Sequence, residues 1–303
     1  MSIKTYNYSF RALGTNVSFT VFNKQSKVIF EPAKKIVNYY DKIFSIYKND
    51  SEISKLNLNS GKKAVKVSDP TYDLIKISKE ISLQNFGFNV AIGPLVKAWD
   101  IGTRNAKIPF PNEIEKLKKI INPEDIEILS NNNVYLKRKN MQLDLGAIGK
   151  GYIADRLKNL WQSYGIKSGI INLGGNLLLI GNCPLHSDGL WRIGIQDPWK
   201  KRGEAIKNVI TPPCSVVTSG IYERQFIKNG KTFHHILDSK TGFPYSTNLM
   251  SVTVFCTTSL AGEIESSRLF FNNKITNFNP SLLRSIFVYK DHTINEFIKK
   301  QEM

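Results

Sequence analysis

Apolar and polar residues alternate over residues 16–22 (NVSFTVF), and this period of two predicts a β-strand. From Pro32 to Tyr47 the apolar residues instead recur at helical spacing. This stretch, Tyr47 included, is therefore predicted to be a helix. A second helix is predicted to begin at Ser68-Asp69-Pro70, where a capping residue precedes a proline.

The second half of the chain is richer in predicted strands than the first. Two short strands within 124–145 precede a helix over about 146–164. Further strands are predicted at 168–173, 176–181, 190–195, 214–219, 222–227, 231–236 and 249–256, with a last helix near 259–271. Asn229-Gly230, between two of these strands, is a strong hairpin signal. Because strands and helices are mixed without strict alternation, the predicted fold class is α+β, a mainly antiparallel sheet with packed helices.

No internal repeat or low-complexity linker divides the chain, so residues 1–303 are expected to form a single domain, built as one body or two lobes. The chain carries 42 Lys and Arg against 25 Asp and Glu, a net charge of +17, which attracts anions. The lysines are scattered and no nucleic-acid-binding motif is present, so nucleic acid is not an expected partner. The three cysteines are far apart and odd in number, which predicts buried free thiols rather than a disulfide framework.

The first residues, MSIKTYNYSF, lack the apolar region and the cleavage site of a signal peptide. No run of about 18 apolar residues occurs along the chain. We therefore expect no transmembrane segment and a cytoplasmic location.

A glycine-rich stretch at 143–155 (LDLGAIGKGYIAD) is the first candidate for chemistry. An apolar strand ends at Asp144, and a helix opens over 146–151. Free N–H groups at a helix N-terminus favour an anion, glycines let a phosphate approach the backbone, and Lys150 adds a positive charge. The GxxxxGK[ST] phosphate loop is absent. Glycines at a helix start also serve close packing, so anion binding and packing both remain open.

Further polar segments follow along the chain. They are Asn172–Asn176 (NLGGN), Thr218–Gly220 (TSG) followed by Tyr222–Arg224 (YER), His235–Asp238 (HILD) with Thr241–Gly242, and Glu263–Ser267 (EIESS). Taken alone, NLGGN is a plain hairpin turn, and a lone histidine is more often structural than catalytic. His235, however, lies between a strand and a turn, where functional residues concentrate.

In their order, these segments resemble those of the ApbE family of flavin transferases. The resemblance also includes Ala12–Thr15 (ALGT), Ser51–Asn57 (SEISKLN), Gly87–Asn89 (GFN) and Gly93–Trp99 (GPLVKAW), and it covers roughly residues 9–272. Eight segments in the family's order make a chance similarity very improbable.

The resemblance implies an ApbE-like (T-fold-like) architecture and a Mg²⁺-dependent transfer of the FMN half of FAD, with release of AMP. The acceptor is expected to be a threonine hydroxyl of a target protein with a D-G-x-T-x-T-type segment. If the domain has two lobes, the cofactor site is expected between them. By resemblance, the residues that contact FAD are Leu13, Gly87, Phe88, Asn89, Asp144, Lys150 and Leu237. The magnesium ligands are the carbonyl of Ala147 with Glu263 and Ser267, and His235 is the candidate base.

The chain departs from the family's pattern on the last helix. The family's motif reads ADALST and residues 262–267 read GEIESS, so Glu263 stands for Asp and Ser267 for Thr. Both pairs keep an oxygen, and the i,i+4 spacing leaves them on one helix face. Glu is one methylene longer, and Mg²⁺ demands near-octahedral geometry. Leu13 in place of Met and Asn89 in place of Asp are milder changes, and Glu265 is expected to tolerate amidation.

Two alternatives to transfer stay open. The Glu263 change is compatible with an FAD-binding carrier that has little turnover. The same pocket and metal are also compatible with a Mg²⁺-dependent FAD pyrophosphatase, in which water is the nucleophile and FMN and AMP are the products.

Overall fold

The computed structural model describes residues 4–22, 27–274 and 279–299. In chain order the strands are β1 (Tyr6–Ala12), β2 (Thr15–Val21), β3 (Val65–Lys66), β4 (Ile126–Leu129), β5 (Asn133–Leu136), β6 (Gly169–Leu173), β7 (Leu177–Ile180), β8 (Trp191–Gln196), β9 (Ala205–Thr211), β10 (Ser215–Gly220), β11 (Gln225–Lys228), β12 (Lys231–His234), β13 (Leu249–Cys256), β14 (Leu282–Tyr289) and β15 (Ile294–Ile298). The helices are α1 (Lys27–Ile43), α2 (Glu52–Leu58), α3 (Asp69–Leu83), α4 (Gly93–Trp99), α5 (Pro111–Lys118), α6 (Gly149–Ser163) and α7 (Ser259–Asn272).

One large sheet is built from eight of these strands in the order β1-β2-β6-β7-β10-β13-β14-β15. Every neighbouring pair in it is antiparallel. At the β1–β2 hairpin, Leu13 and Gly14 both have positive φ, 54° and 68°, as a two-residue type I′ turn requires. The sequence-based fold class, α+β with a mainly antiparallel sheet, is confirmed.

Each face of this sheet is covered by a different layer. Alternation along a strand sends Val217, Val252 and Val254 to one face, where they pack with Leu269 and Phe270 of α7. On the same side Phe19 meets Trp161 of α6 edge to face, with ring centroids 5.7 Å apart. The opposite face is covered by the β8–β9 hairpin. Its residues Trp191, Ile193 and Val209 pack with Val216, Phe255 and Ile286.

A smaller antiparallel sheet, β3-β5-β4, lies beside helices α2 and α3. Its apolar residues Val134 and Leu136 are buried in a cluster that also contains Leu74 of α3 and Leu143. α3 ends just before the loop 84–92, and β5 leads towards residues 141–151. The small sheet thus positions both polypeptide segments from which the candidate site is built.

Element boundaries differ from the sequence-based expectation in two places that matter. The first predicted helix was expected to extend to Tyr47 but ends at Ile43, and Tyr47 is 65% exposed. Residues 146–148 form a turn, and the following helix begins at Gly149. The Asn229-Gly230 turn is confirmed, with both residues at positive φ between β11 and β12.

Two further expectations concern cysteines and membranes. Cys183, Cys214 and Cys256 are buried and free, as predicted. Within the described parts of the chain, no helix is both long enough and apolar enough to cross a membrane.

Candidate active site

Asp144 lies at the centre of the candidate site, where an extended segment meets the start of α6. The side-chain amide of Asn57 holds Leu143 from both sides, because it donates to the Leu143 carbonyl at 3.0 Å and accepts from its N–H at 2.8 Å. The Asp144 N–H donates to the Val90 carbonyl at 2.8 Å. The Asp144 carboxylate accepts from the N–H of Gly146 at 2.7 Å. Burial raises the pKa of this carboxyl, while the Gly146 N–H and the positive charge of Arg224 act against the rise.

The turn before α6 leaves the carbonyl of Ala147 without a helical partner. The N–H groups of Ile148 and Gly149 both donate to the Leu145 carbonyl, and the N–H of Tyr152 donates to that of Ile148. Among residues 4–22, 27–274 and 279–299, no backbone N–H donates to the carbonyl of Ala147. Ala147 is also exposed, so its carbonyl oxygen is free to meet a ligand.

α7 approaches this turn closely because of Gly151. A Cβ at Gly151 would lie 2.5 Å from the Ser259 carbonyl oxygen and 2.7 Å from Cγ of Glu263. Glycine therefore lets the two helices meet, and the side chain of Glu263 packs directly against the first turn of α6. The sequence left packing and anion binding open for these glycines. In the structure Gly151 serves packing, and this packing brings the Glu263 carboxylate to the start of α6.

The Glu263 carboxylate is buried and oriented by a buried amide. Asn176 donates from Nδ2 to Oε1 of Glu263 at 2.8 Å, and its Oδ1 accepts from the Ser259 hydroxyl at 2.7 Å. Asn176 and Glu263 are 1% and 7% exposed. Burial raises the pKa of Glu263, and the positive charge of Lys150 and the Asn176 hydrogen bond oppose the rise.

The start of α7 is fixed from α6. The Asp155 carboxylate accepts hydrogen bonds from the N–H groups of Ser259 and Leu260 at 2.8 and 2.9 Å, so it caps α7 and complements its dipole. Farther along α7, Ser266 is fully buried and accepts from the Ser219 hydroxyl at 2.9 Å. Ser267 is partly exposed one turn after Glu263, and no hydrogen bond of its hydroxyl to a described residue is seen.

His235 lies on the strand-to-turn segment after β12, beside Arg224. Its N–H donates to the Arg224 carbonyl at 3.1 Å, and its Nδ1 lies 3.2 Å from the same carbonyl. Because a carbonyl only accepts, Nδ1 carries the proton and Nε2 keeps a lone pair. Burial, together with the positive charge of Arg224, lowers the pKa of His235 to about 4, so the imidazole is neutral near pH 7.

The charge of Lys150 connects these groups. Lys150 is on the first turn of α6, partly exposed, and its field lowers the pKa of both Glu263 and His235. The cation therefore lies near enough to the carboxylate and the imidazole for its charge to act on both. An anion bound there would meet Lys150 and the positive end of the α6 dipole.

Arg224 and Tyr47 form one rim of this space. A Cβ on Gly14, in the β1–β2 turn next to Leu13, would lie 3.7 Å from the Arg224 guanidinium. The N–H of Leu13 donates to the Asp41 carboxylate at 3.1 Å, which holds the turn in place. Tyr47 lies near enough to Asp144 and Arg224 for their charges to act on its hydroxyl. Desolvation, then the Asp144 charge, raises its pKa, and the Arg224 charge opposes the rise.

The three residues of the segment Gly87–Asn89 differ in what their side chains contact. Gly87 has φ of 126°, and a Cβ there would lie 2.2 Å from the ring of Phe271, so the position accepts only glycine. Phe88 is 8% exposed. The Asn89 side chain donates to the Ile121 carbonyl at 2.9 Å and accepts from the N–H of Ala91 at 2.9 Å, so both ends of its amide are used inside the protein.

Leu237 is buried in the loop that follows His235. It pairs with Pro244 across this loop, and the loop is anchored by Trp99, whose indole N–H donates to the Gly242 carbonyl at 2.8 Å. The HILD and TG segments therefore fold onto α4, which carries the GPLVKAW segment.

The sequence profile of the ApbE family matches residues 13–277. The chain belongs to the ApbE family. An FAD:protein FMN transferase of Klebsiella pneumoniae is 34% identical over 269 residues, which are 88% of this chain and 82% of that relative. A protein of the same description from Treponema pallidum is 29% identical over 285 residues, 88% of this chain and 79% of the relative.

Solved ApbE structures share the fold. The ApbE protein of Thermotoga maritima superposes with a TM-score of 0.85 at 26% identity, over 96% of each chain. The flavin transferase ApbE of Vibrio cholerae, at 22% identity, has a TM-score of 0.80 over 98% of this chain and 97% of that one. At this identity, the similarity to the Vibrio cholerae protein shows the fold alone.

In this ApbE fold, several residues at the site were not singled out from the sequence. They are Asn57, Asp155 and Asn176, which orient the site through buried hydrogen bonds, and Arg224 and Tyr47, which line its rim. Asn57, Asp155, Asn176 and Arg224 lie inside segments that resemble the family's, which is the signal that could have found them. Tyr47 lies outside those segments and carried none.

Proposed function

We propose that this chain transfers the FMN half of FAD to a hydroxyl group of an acceptor protein and releases AMP. The observation that carries the proposal is the approach of Glu263 to the first turn of α6, next to Lys150 and the free carbonyl of Ala147. Two family members at 29–34% identity are described as FAD:protein FMN transferases, and this geometry supplies groups suited to that reaction.

The donor set suits a magnesium ion. No group of three or more His, Cys, Asp or Glu side chains gathers among the described residues, so an all-carboxylate cage is not formed there. Mg²⁺ commonly takes only one or two carboxylates and completes its shell with waters and substrate phosphates. The Glu263 carboxylate and the unbonded Ala147 carbonyl are oxygens of this kind, and we propose Ser267 as a third. When bound, the ion would neutralise charge on the pyrophosphate.

FAD is proposed to lie with its pyrophosphate at the start of α6. Lys150 and the helix N-terminus supply positive charge there. Leu13, Gly87, Phe88 and Leu237 are proposed to line the part of the pocket that takes the apolar parts of the ligand. Asp144, whose carboxyl has a raised pKa, is proposed as a polar contact to FAD. Asn89 is proposed to act by holding the 87–91 backbone, since its amide is already bonded on both sides.

His235 is proposed to accept the proton of the acceptor hydroxyl. With Nδ1 held by the Arg224 carbonyl, Nε2 is the basic atom. The hydroxyl oxygen forms a bond to the FMN-side phosphorus, the bond from that phosphorus to the AMP oxygen breaks, and the proton passes to Nε2. AMP leaves with the electron pair of the broken bond.

The acceptor is proposed to be a threonine in a D-G-x-T-x-T-type segment of a target flavoprotein. We also propose a cytoplasmic location. The three free, buried thiols fit this location, because reducing compartments keep cysteines unpaired.

The proposal is tested by incubating the chain with FAD, Mg²⁺ and a polypeptide that bears such a segment. Covalent, fluorescent flavin on the polypeptide, abolished by a chelator, is the expected result. Free FMN and AMP with an unmodified polypeptide would indicate a pyrophosphatase, and FAD that stays bound and intact would indicate a carrier.

A further inference from the structure

Arg268 of α7 makes three contacts, and two of them reach residues outside its own helix. Its Nε donates to Oε1 of Glu265 at 3.2 Å, and its terminal nitrogen donates to the side-chain carbonyl of Gln84 at 2.8 Å. Its guanidinium carbon lies 4.4 Å from the centre of the Phe86 ring. Gln84 and Phe86 belong to the loop that runs into Gly87. One side chain therefore ties the helix that carries Glu263 to the loop that carries Gly87 and Phe88.

A second contact between the same two segments lies one turn later on α7. The ring of Phe271 occupies the space in front of Gly87, where a Cβ would lie 2.2 Å from it. The Phe271 carbonyl accepts from the Tyr245 hydroxyl at 2.6 Å, which fixes the end of the helix. Arg268 and Phe271 are three residues apart and share one helix face, so they form a continuous edge against the 84–87 loop.

The charge partner of Arg268 is fully buried. Glu265 has no exposed surface, and its Oε1 also accepts from Asn279 at 2.7 Å. Its Oε2 finds no donor in the part of the chain that the structure describes. Removing Arg268 alone would leave a buried carboxylate poorly compensated, which is strongly destabilising, whereas replacing both partners by apolar residues is often neutral. A buried pair of this kind is a poor source of stability, so another role explains it better.

We propose that Arg268 is a positioning residue: with Glu265, it sets the 84–87 loop against α7 and so fixes the distance between the flavin-contacting loop and the metal-binding helix. This inference rests on the proposed function for the ligand that the two segments share. The tether itself is defined without any ligand, because every contact of Arg268 is within the chain.

The test uses a double variant, Glu265→Leu with Arg268→Met, which removes the tether without leaving a buried charge. Hydrogen–deuterium exchange of residues 84–91 and the Kd for FAD, read by flavin fluorescence, are measured on the whole chain. We expect faster exchange in this segment and FAD binding weaker by about tenfold, with the melting transition still cooperative. Arg268→Lys, which keeps the charge but not the planar fork, should show the same two changes to a smaller degree.

Arg192→Met is the matched control, since Arg192 forms a surface pair with Asp188 at 2.7 Å. It should alter neither measurement. A folded double variant with unchanged exchange over 84–91 would overturn the tether. Faster exchange with unchanged FAD affinity would overturn its positioning role. A wild-type chain that binds no FAD would refute the proposed function instead, and the exchange comparison would still decide on the tether.

Discussion

Nδ2 of Asn176 lies 2.8 Å from Oε1 of Glu263, although the two residues are 87 positions apart in the chain. The amide sits at the end of a strand turn and the carboxylate on the first turns of a helix, so the hydrogen bond ties the large sheet to α7. Because this hydrogen bond uses Oε1, the second carboxylate oxygen of Glu263, Oε2, is the one left for other partners. The NLGGN turn, which alone would be a plain hairpin, thus orients the carboxylate of the site.

Asn176→Ala should weaken Mg²⁺ binding in the presence of FAD by roughly 10–100-fold, as expected when a partner that orients a metal ligand is removed. Calorimetric titration of Mg²⁺ measures the effect. Asn59→Ala is the control, because the Asn59 amide only bonds the Lys55 carbonyl at the surface. Unchanged Mg²⁺ affinity in Asn176→Ala would show that the Asn176 amide has no part in metal binding.

Glu263→Gln should abolish metal-dependent transfer while the chain stays folded, because the amide removes the one carboxylate proposed as a ligand. Glu263→Asp should retain or raise activity, since it restores the residue of the family's motif. Transfer rates as a function of Mg²⁺ concentration give the answer. Glu115→Gln, at an exposed pair with Lys118, is a suitable control. Full activity of Glu263→Gln at low Mg²⁺ would refute the metal assignment.

Lys150→Met should weaken FAD binding by roughly tenfold or more and leave the fold intact, because the proposed charge-assisted hydrogen bond to phosphate would be lost. Fluorescence titration measures the Kd. Lys167→Met removes an exposed lysine elsewhere and should have no effect. If Lys150→Met binds FAD as the wild type does, Lys150 is only a solvated charge on a helix.

His235→Ala should lower the transfer rate by about 10²–10⁴-fold and preserve FAD affinity, because a base acts on the acceptor hydroxyl. His234 offers a neighbouring contrast: it is 8% exposed, its Nε2 bonds the Tyr245 carbonyl at 3.0 Å, and burial lowers its pKa to about 4. His234→Gln should therefore lower the melting temperature and leave the transfer rate per folded molecule nearly unchanged. An equal loss of FAD binding in His235→Ala would make His235 a pocket residue instead.

Local patterns predicted much of the fold and the order of the site segments. Period-two alternation located β2, strands were also predicted at the places of β6, β7, β10 and β13, and the proline after Ser68 located α3. β1, β14 and β15 were not predicted, although β1 pairs with the next strand, β2, and β15 pairs with the preceding strand, β14. Tyr47 was included in the first predicted helix because its spacing continues a helix that in fact ends at Ile43.

Contacts made through packing were out of reach of the sequence. Glu265 was expected to tolerate amidation, but it is fully buried and paired with Arg268, so it cannot serve as a silent control for Glu263. The use of Gly151 also follows only from the crossing of α6 and α7. Helical spacing predicts on which face of a helix a side chain lies. Which residue packs against that face is decided by the tertiary structure.

The most direct test of the account counts products. The chain is incubated with FAD, Mg²⁺ and an acceptor polypeptide with a D-G-x-T-x-T segment, or with the same polypeptide carrying valine for both threonines. Intact-mass spectrometry measures the acceptor, and chromatography measures AMP. The account predicts one AMP released for each FMN added to the acceptor, and neither product with the valine acceptor. AMP and free FMN in equal amounts on an unmodified acceptor, or FAD left intact, would contradict it.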